Sequence, residues 1–267
     1  MTKYTIYQVD AFTLKPFKGN PAAVCILPVE KDSEWMQAVA QEMNLSETAF
    51  LLPKGNDYLL RWFTPTTEVE LCGHATIASA HILFENGFYD FDETINFHTA
   101  SGVIAATFDN GTIELNMPLI KSQDVEIPAD VIEATGLNPV AAALSETNQL
   151  ILMLGSEDEV RAFEPDMKKI AALPYIDLII TAEAGGEKFD FISRFFSPRT
   201  GIPEDPVTGM AHCVLGPFWQ RRLDKSGFCA YQASKRGGRV WVKVDDNRCY
   251  IGGKAVTVFK AELFKQD

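Results

Sequence analysis

The chain has 267 residues, of which 46% are hydrophobic, and it carries a formal net charge of −12. This length fits one large domain or two smaller ones, with enough apolar side chains to bury a core in each. The acidic balance argues against a nucleic-acid partner, because binding to phosphates depends on clustered Lys and Arg. The five cysteines are odd in number and form no CxxC pair, which favours a reducing compartment over a disulfide framework.

The first segment, MTKYTIYQVDAF, alternates as a strand does and lacks a basic end followed by an apolar run. No stretch of the sequence approaches the ~18 apolar residues that a membrane helix needs. We therefore expect a cytoplasmic protein with no membrane partner.

The first half predicts strands and helices in the order YTIYQVDAF, AAVCILP, the helix SEWMQAVAQEM, TAFLLP, YLLRWFTP, a helix from near Gly73 to near Gly87, GVIAATF and GTIELNMP. The turn sequence DNG joins the last two strands, because it supplies the positive φ angles of a tight hairpin. A polar, proline-bearing linker is predicted around 119–130.

The second half predicts a similar order: LILML, a helix over EVRAFEPDMKKIAAL, strands DLIITAE and KFDFISRFFSP, a helix from about Val207 to Leu223, and a closing hairpin of RVWVKVDD and RCYIGGKAVTVF. Each half therefore has one helix that is entered directly from a glycine turn. The unpaired N–H groups at such a helix start favour a carboxylate or another anion.

An internal repeat supports two similar halves. RWFTP at 61–65 returns as RFFSP at 194–198, an offset of 133 residues, which is close to half the length. The same offset places Glu47 opposite Ile180. We expect domains over 1–120 and 121–267, with the last residues either staying in the second domain or packing on the first. A cleft between the halves is then the first place to expect a ligand.

Four segments resemble the motifs of the PhzF-like (phenazine biosynthesis-like) proteins, in the same order and with the same spacing: GNPAAV at 19–24, NLSETAFL at 44–51, TEVELCGHATIASAH at 67–81 and GIPEDPVTGMAH at 201–212. These proteins share the diaminopimelate epimerase fold. The resemblance implies an α+β fold of two pseudo-symmetric halves, each a β-barrel-like sheet around a central helix. It also implies a homodimer and a small carboxylated substrate.

Glu47 is the predicted general acid/base. A carboxylate that removes a C–H proton needs a pKa near neutrality, which a dry, apolar pocket provides. The resemblance implies that Glu47 moves a ring proton on a cyclic unsaturated compound without a cofactor, accompanied by His74 and Asp205. If the helix starts face each other, His74 could hydrogen-bond Asp205. Each residue also has a structural interpretation: a strand-end carboxylate, a buried histidine and an N-cap.

Further residues are expected to shape the substrate pocket. Asn20 and Ser46 offer polar side chains, while the helix starts offer backbone N–H donors. The predicted substrate-binding residues are Asn20, Ser46, Gly73, Val207, Thr208 and Gly209. This chain has Met210 where the family motif usually has serine, so the pocket wall is bulkier and softer.

Two other functions remain open at this point. Epimerases of this fold use two cysteines, one per half, and Cys72 occupies the first position. Its repeat partner by offset is Pro206, which carries no proton, so Cys72 is interpreted as a small buried hydrophobe. A cysteine-dependent racemase is one alternative, and a non-catalytic module that binds a small molecule or a protein is the other.

No metal site and no cofactor are predicted. A zinc cluster would draw on Cys72, His74, His81, His212 and Cys213, but their spacing matches no common site. A Cys72–His74 nucleophile pair is disfavoured, because side chains two residues apart diverge across a helix start. The sequence contains no nucleotide-binding glycine motif.

Overall fold

A computed structural model of the chain describes residues 4–264. The backbone divides into two compact units, Met1–Asn116 with Ile251–Asp267, and Met117–Tyr250. The boundary near 116 lies close to the one expected from the sequence. The C-terminal residues belong to the first unit, because the last strand, β18 (Ala255–Leu263), pairs antiparallel with the first strand, β1 (Tyr4–Ala11).

The first unit contains nine further strands and helices between these two: β2 (Asn20–Ile26), α1 (Ser33–Met43), β3 (Glu47–Lys54), β4 (Asp57–Phe63), β5 (Glu68–Val69), α2 (Gly73–Glu85), β6 (Ile95–Thr99), β7 (Gly102–Asp109) and β8 (Thr112–Pro118). β1 pairs with β2, and β2 runs parallel to β3. β4 pairs with β3 and β5 and runs parallel to β6, and β6, β7 and β8 follow as antiparallel neighbours.

The second unit contains β9 (Ser122–Val125), α3 (Ala129–Thr135), β10 (Ala141–Ser145), β11 (Gln149–Met153), α4 (Glu157–Ala162), α5 (Met167–Ala172), β12 (Asp177–Glu183), β13 (Phe191–Ser197), a 3₁₀ turn (Pro198–Thr200), β14 (Ile202–Asp205), α6 (Gly209–Leu223), β15 (Gly227–Gln232), β16 (Gly238–Asp245) and β17 (Arg248–Gly253). The strand pairing matches the first unit step by step. β10 lies between β9 and β11, β11 is parallel to β12, and β13 is parallel to β15.

One helix lies at the centre of each sheet. α2 buries 11 of its 13 residues, and α6 buries every residue from Gly209 to Trp219 except Met210, whereas α1 buries only one side. Gly216 lets α6 pack closely against β16, because an added Cβ there would lie 2.9 Å from Val244. The fold is therefore α+β with two pseudo-symmetric halves, each a barrel-like sheet around a central helix, as expected.

Some predicted elements were wrong in detail. The helix expected over EVRAFEPDMKKIAAL is two short helices, because Pro165 interrupts the first and the Asp166 side chain caps the second. The expected linker contains strand β9, and the expected final strand is split into β17 and β18. Among residues 4–264, no helix is both long and apolar enough to cross a membrane.

The strand register corrects the repeat alignment around Glu47. Phe50 pairs with Arg61 across β3 and β4, and Ile180 pairs with Arg194 across β12 and β13. Ile180 is therefore equivalent to Phe50, and Glu47, which begins β3, is equivalent to Asp177, which begins β12. The constant offset failed here because the chain between Asp177 and Arg194 is three residues longer than the chain between Glu47 and Arg61.

The helix starts require a second correction. Cys72 is the N-cap of α2 and Thr208 is the N-cap of α6. The partner of Cys72 in the second unit is therefore Thr208, not Pro206. The reason is again an insertion, since the 3₁₀ turn at Pro198–Thr200 lengthens the connection between β13 and α6.

Candidate active site

Glu47 lies at the N-terminal end of β3, a strand that pairs with β2 on one side and β4 on the other. Asn44, in the left-handed conformation at φ 50°, ends α1, and the chain then turns into β3, so Glu47 is the first residue of the strand. Its side chain is 12% exposed, and the next residues of the strand, Thr48, Ala49 and Phe50, are buried. The carboxyl group is therefore largely shielded from solvent, and the predicted apolar pocket around it stays a prediction.

His74 lies on the first turn of α2 and is almost fully buried. Its Nε2 is 3.2 Å from Oε2 of Glu47. The two atoms are in contact, but Nε2 has no well-aligned hydrogen-bond partner in the described part of the chain. Burial lowers the pKa of His74 to about 3, so the imidazole is neutral near pH 7.

The thiol of Cys72 contacts the other ring nitrogen of His74. Sγ is 3.5 Å from Nδ1, so the expectation that the two side chains diverge was wrong. Cys72 has an extended backbone, φ −146° and ψ 115°, whereas His74 is already helical, and this change of direction lets them meet. A neutral imidazole carries one proton. The neighbouring Glu47 carboxylate favours that proton on Nε2, which leaves Nδ1 to accept from the thiol.

Glu47, Cys72 and His74 are also a possible metal-binding group, because one ligand atom from each lies within 4.8 Å of the others. The thiol and the carboxylate face different nitrogens of the ring. A histidine offers one nitrogen to one ion, so an ion held here could not use both of these contacts, and the absence of a metal stays a prediction. Two histidines weighed for zinc have other contacts: His81 meets Thr257, and His212 donates to the carbonyl of Thr208.

The predicted binding residues of the first unit lie near Glu47 and Gly73 in the sequence or across the strand pairing. Asn20 is fully buried at the first position of β2, and Ala22, two residues later, is the register partner of Glu47. Ser46 is half-buried directly before Glu47, and Gly73 is buried at the first position of α2.

The starts of α2 and α6 differ from those of α1, α4 and α5, although α3, whose N-cap is Pro128, also lacks a side-chain cap. Side chains of Asp32, Ser156 and Asp166 cap α1, α4 and α5, respectively. The N-caps of the two central helices, Cys72 and Thr208, make no such bond. These helix starts keep N–H groups that no N-cap side chain satisfies, which suits an anion.

Asp205 lies at the end of β14, in the second unit, and is 7% exposed. It is not an N-cap: α6 begins four residues later, and Oδ2 accepts a hydrogen bond from the Thr208 hydroxyl. The backbone N–H of Thr208 donates to Oε1 of Gln232 over 2.8 Å, so the predicted anion donor at this residue is already engaged by the protein. A bond between His74 and Asp205 stays a prediction.

The remaining residues predicted at the second helix start are Val207 and Gly209, both buried, and the half-buried Met210. With the two N-caps aligned, Met210 takes the position that His74 holds in the first unit. The second unit therefore has a thioether where the first has an imidazole.

Sequence reasoning missed Asp177 and Gln232. Asp177, the counterpart of Glu47, is 8% exposed and accepts from Nε2 of Gln149 over 2.8 Å. Burial raises its pKa, and the charge of Asp205 adds to this, while hydrogen bonds from Ser197 and Gln149 oppose it. An alignment of the repeat by strand starts, rather than by a fixed offset, would have pointed to Asp177.

The two-unit α+β fold is the epimerase-like fold that the sequence motifs implied. The sequence model of the phenazine biosynthesis-like protein family matches residues 9–261, and the chain belongs to that family. An uncharacterised isomerase of Halalkalibacterium halodurans is 47% identical over 259 residues, which cover 97% of each chain.

Solved structures agree on the family and the fold. The crystal structure of a PhzF-family phenazine biosynthesis protein from Enterococcus faecalis has a TM-score of 0.93 and 40% identity, and the match covers 99% of this chain and 100% of that one. A predicted epimerase from Pseudomonas aeruginosa has a TM-score of 0.75 over the whole of both chains. At 20% identity, that second likeness shows the fold alone.

Proposed function

We propose that the chain is a cofactor-independent isomerase that moves a proton within a small carboxylated, cyclic unsaturated metabolite, with Glu47 as the general acid/base. The observation that carries the proposal is the buried Glu47 carboxyl group beside the neutral His74 imidazole, 3.2 Å away. The isomerase name of the relative from Halalkalibacterium halodurans supports the reaction class.

The reaction needs one proton and no external electrons. Glu47 takes the proton from a ring carbon, and the electron pair of the broken C–H bond moves into the adjacent unsaturated system. The protonated carboxyl group then returns the proton to another carbon of the ring, which restores the carboxylate. The Nε2–H group of His74 faces the Glu47 carboxylate and stabilises its ionised form, before the proton is taken up and after it is returned.

We assign the substrate carboxylate to the starts of α2 and α6, where no N-cap side chain bonds the first N–H groups of the helix. In the first unit, Gly73 begins α2, and Asn20 and Ser46 are the predicted polar contacts. In the second unit, Val207 and Gly209 remain predicted donors, and Asp205 and Thr208 remain predicted contacts. Since the N–H of Thr208 is engaged by Gln232, a contact from this residue would come from its side chain.

The experiment is deuterium incorporation. The protein is incubated in deuterated water with a panel of cyclic unsaturated, amino and hydroxy acids, and exchange at carbon is followed by NMR. We expect label to enter one class of compound and a positional isomer to form. Glu47→Gln should slow both by about 10² to 10⁴-fold, the usual contribution of a general base.

Asp57→Asn is the matched control. Asp57 also begins a strand of the first unit, and its Oδ2 is also 3.2 Å from a histidine Nε2, that of His98, but both side chains are 31% exposed. This variant should keep the wild-type exchange rate. Equal rates for wild type and Glu47→Gln would refute the assignment of the base, and a silent panel would favour the non-catalytic binding module.

A cysteine-dependent racemase is the second candidate, because Cys72 Sγ contacts His74 Nδ1. Its distinguishing result is loss of exchange in Cys72→Ser while Glu47→Gln stays active, with inversion at one carbon in place of a positional isomer. Cys25→Ser is the control, since burial raises the pKa of that thiol to about 12 and keeps it protonated. The expected homodimer is tested by sedimentation.

A further inference from the structure

Gln232 is a fully buried amide at the end of β15, and its side chain hydrogen-bonds the segment before α6. Its Nε2 donates to the backbone oxygen of Asp205 over 2.8 Å and to Oγ1 of Thr208 over 3.1 Å. Its Oε1 accepts from the backbone N–H of Thr208 over 2.8 Å. One side chain therefore holds both ends of the short turn between β14 and α6.

The amide can bind in only one orientation. Turning it over would place the carbonyl oxygen against the oxygen of Asp205 and the NH₂ group against the N–H of Thr208. The two hydrogen bonds to the main chain would then be lost in a site from which water is excluded, and the Thr208 hydroxyl could donate to the turned amide only by giving up its bond to Asp205. The structure thus fixes which atom of Gln232 faces each partner.

This orientation determines where the Thr208 hydroxyl points. Oγ1 accepts from Gln232, so its own proton is directed at Oδ2 of Asp205. A threonine at an N-cap ordinarily turns its oxygen to the first N–H groups of the helix, a bond whose loss typically costs ~1 kcal/mol. Thr208 makes no such bond. The hydroxyl serves Asp205 instead of the helix.

We propose that Gln232 is a positioning residue: by holding the main chain and hydroxyl of Thr208, it sets the direction of the Asp205 carboxylate that faces substrate. The inference rests on the proposed function, in which Asp205 is one of the substrate-contacting residues. It assigns to Gln232 no contact with the substrate itself. Its effect passes through the directed hydrogen bond from Thr208 to Asp205.

Gln232→Met and Gln149→Met are compared. Both remove a buried side-chain amide of the second unit that hydrogen-bonds near an aspartate, but Gln149 donates to the Asp177 carboxylate, whereas Gln232 bonds Thr208 and the Asp205 carbonyl. The first readout is the Thr208 backbone N–H, whose hydrogen exchange should be at least about tenfold faster in Gln232→Met than in wild type. The Thr208 hydroxyl-proton signal should vanish in Gln232→Met. Gln149→Met should leave both signals as in wild type.

The second readout is turnover of the panel compound that takes up deuterium. Gln232→Met should lower kcat about tenfold to hundredfold, the effect of a misdirected contact, and change KM less than threefold. Gln149→Met should stay within threefold of wild type in both. A merely structural role of Gln232 would lower thermal stability without this separation of kcat from KM.

Gln232→Glu adds a pH test. Its ionised carboxylate can still accept from the N–H of Thr208 but cannot donate to Oγ1 or to the Asp205 carbonyl. Protonation of the introduced carboxyl restores one donor, so activity relative to wild type should recover as the pH falls.

The two proposals fail differently. If no compound exchanges, the proposed function fails, and the inference is then judged on the Thr208 signals alone. If Gln232→Met keeps these signals, or loses them with unchanged turnover, the inference is overturned while the isomerase assignment stands.

Discussion

Two buried histidines should make this protein sensitive to acid. His74 and His212 are almost completely enclosed, and burial lowers their pKa values to about 3 and about 4, from an ordinary value of 6.5. In the unfolded chain both imidazoles take up protons near pH 6.5, whereas in the folded chain they stay neutral. The folded state is therefore favoured above pH 6.5, and this contribution is lost as the pH falls.

The magnitude follows from the linkage of protonation to folding. Each histidine that is protonated only in the unfolded chain removes about 1.4 kcal/mol of unfolding free energy per pH unit. From pH 6.5 to 4.5 the loss is roughly 2 kcal/mol per histidine, a large part of a typical total of about 5 to 15 kcal/mol. Asp177 acts in the opposite direction, because its raised pKa lets the folded chain bind a proton first.

Urea unfolding at pH 7 and pH 4.5 tests this reasoning. His74→Gln removes one titrating group, so its free energy of unfolding should fall by about 2 to 3 kcal/mol less than that of wild type between the two pH values. Comparing each protein with itself at two pH values cancels the direct cost of the substitution. His98→Gln, at a site 31% exposed, should follow the wild type. The same loss in His74→Gln as in wild type would refute the neutral, enclosed imidazole.

Two further comparisons use matched positions. Arg194→Met should lower the free energy of unfolding by about 3 to 5 kcal/mol, because Arg194 is buried and its loss leaves a carboxylate and two carbonyls without a donor. Arg61→Met, at the equivalent and more exposed site, should cost about 1 kcal/mol or less. Equal values for the two variants by urea unfolding would contradict this prediction. Gly253→Ala should lower the free energy of unfolding by about 1 to 3 kcal/mol, because its Cβ would lie 2.6 Å from the Phe12 ring. At Gly227 an added Cβ meets nothing within 4 Å, so Gly227→Ala should change the free energy of unfolding by no more than about 0.5 kcal/mol. Thermal denaturation that ranks the two variants in the reverse order would show that the site at Gly253 has room.

Much of the fold could be predicted from local pattern. Alternating apolar residues mark strands such as β1 and β16, and glycine marks the starts of both central helices. The short strands β5, β14 and β9 were missed, because four or fewer residues carry too little periodicity to separate them from loops. The barrel-like closure could not be derived from periodicity and came only from the family resemblance.

The register of the repeat was the harder problem. RWFTP and RFFSP align Arg61 with Arg194 correctly, because these residues occupy equivalent positions in paired strands. The same offset was wrong on either side of that strand, where the second unit carries insertions. It aligned Glu47 with Ile180 in place of Asp177. Such errors matter because even a one-residue slip in a strand moves a side chain to the opposite face. Strand pairing, which no single sequence states, is what corrected it.

The contact between Cys72 and His74 was missed for a different physical reason. Helical spacing rules apply only where both residues are helical, and Cys72, as an N-cap, is extended. The cysteine therefore reaches Nδ1 of the ring whose Nε2 faces Glu47. In the second unit the equivalent N-cap is Thr208, whose hydroxyl donates to Asp205 and accepts from Gln232. Equivalent backbone positions thus carry a thiol beside an imidazole in one unit and a hydroxyl beside a carboxylate in the other. The shared strand pairing fixes where these side chains begin, and the side chains themselves give each unit its own chemistry.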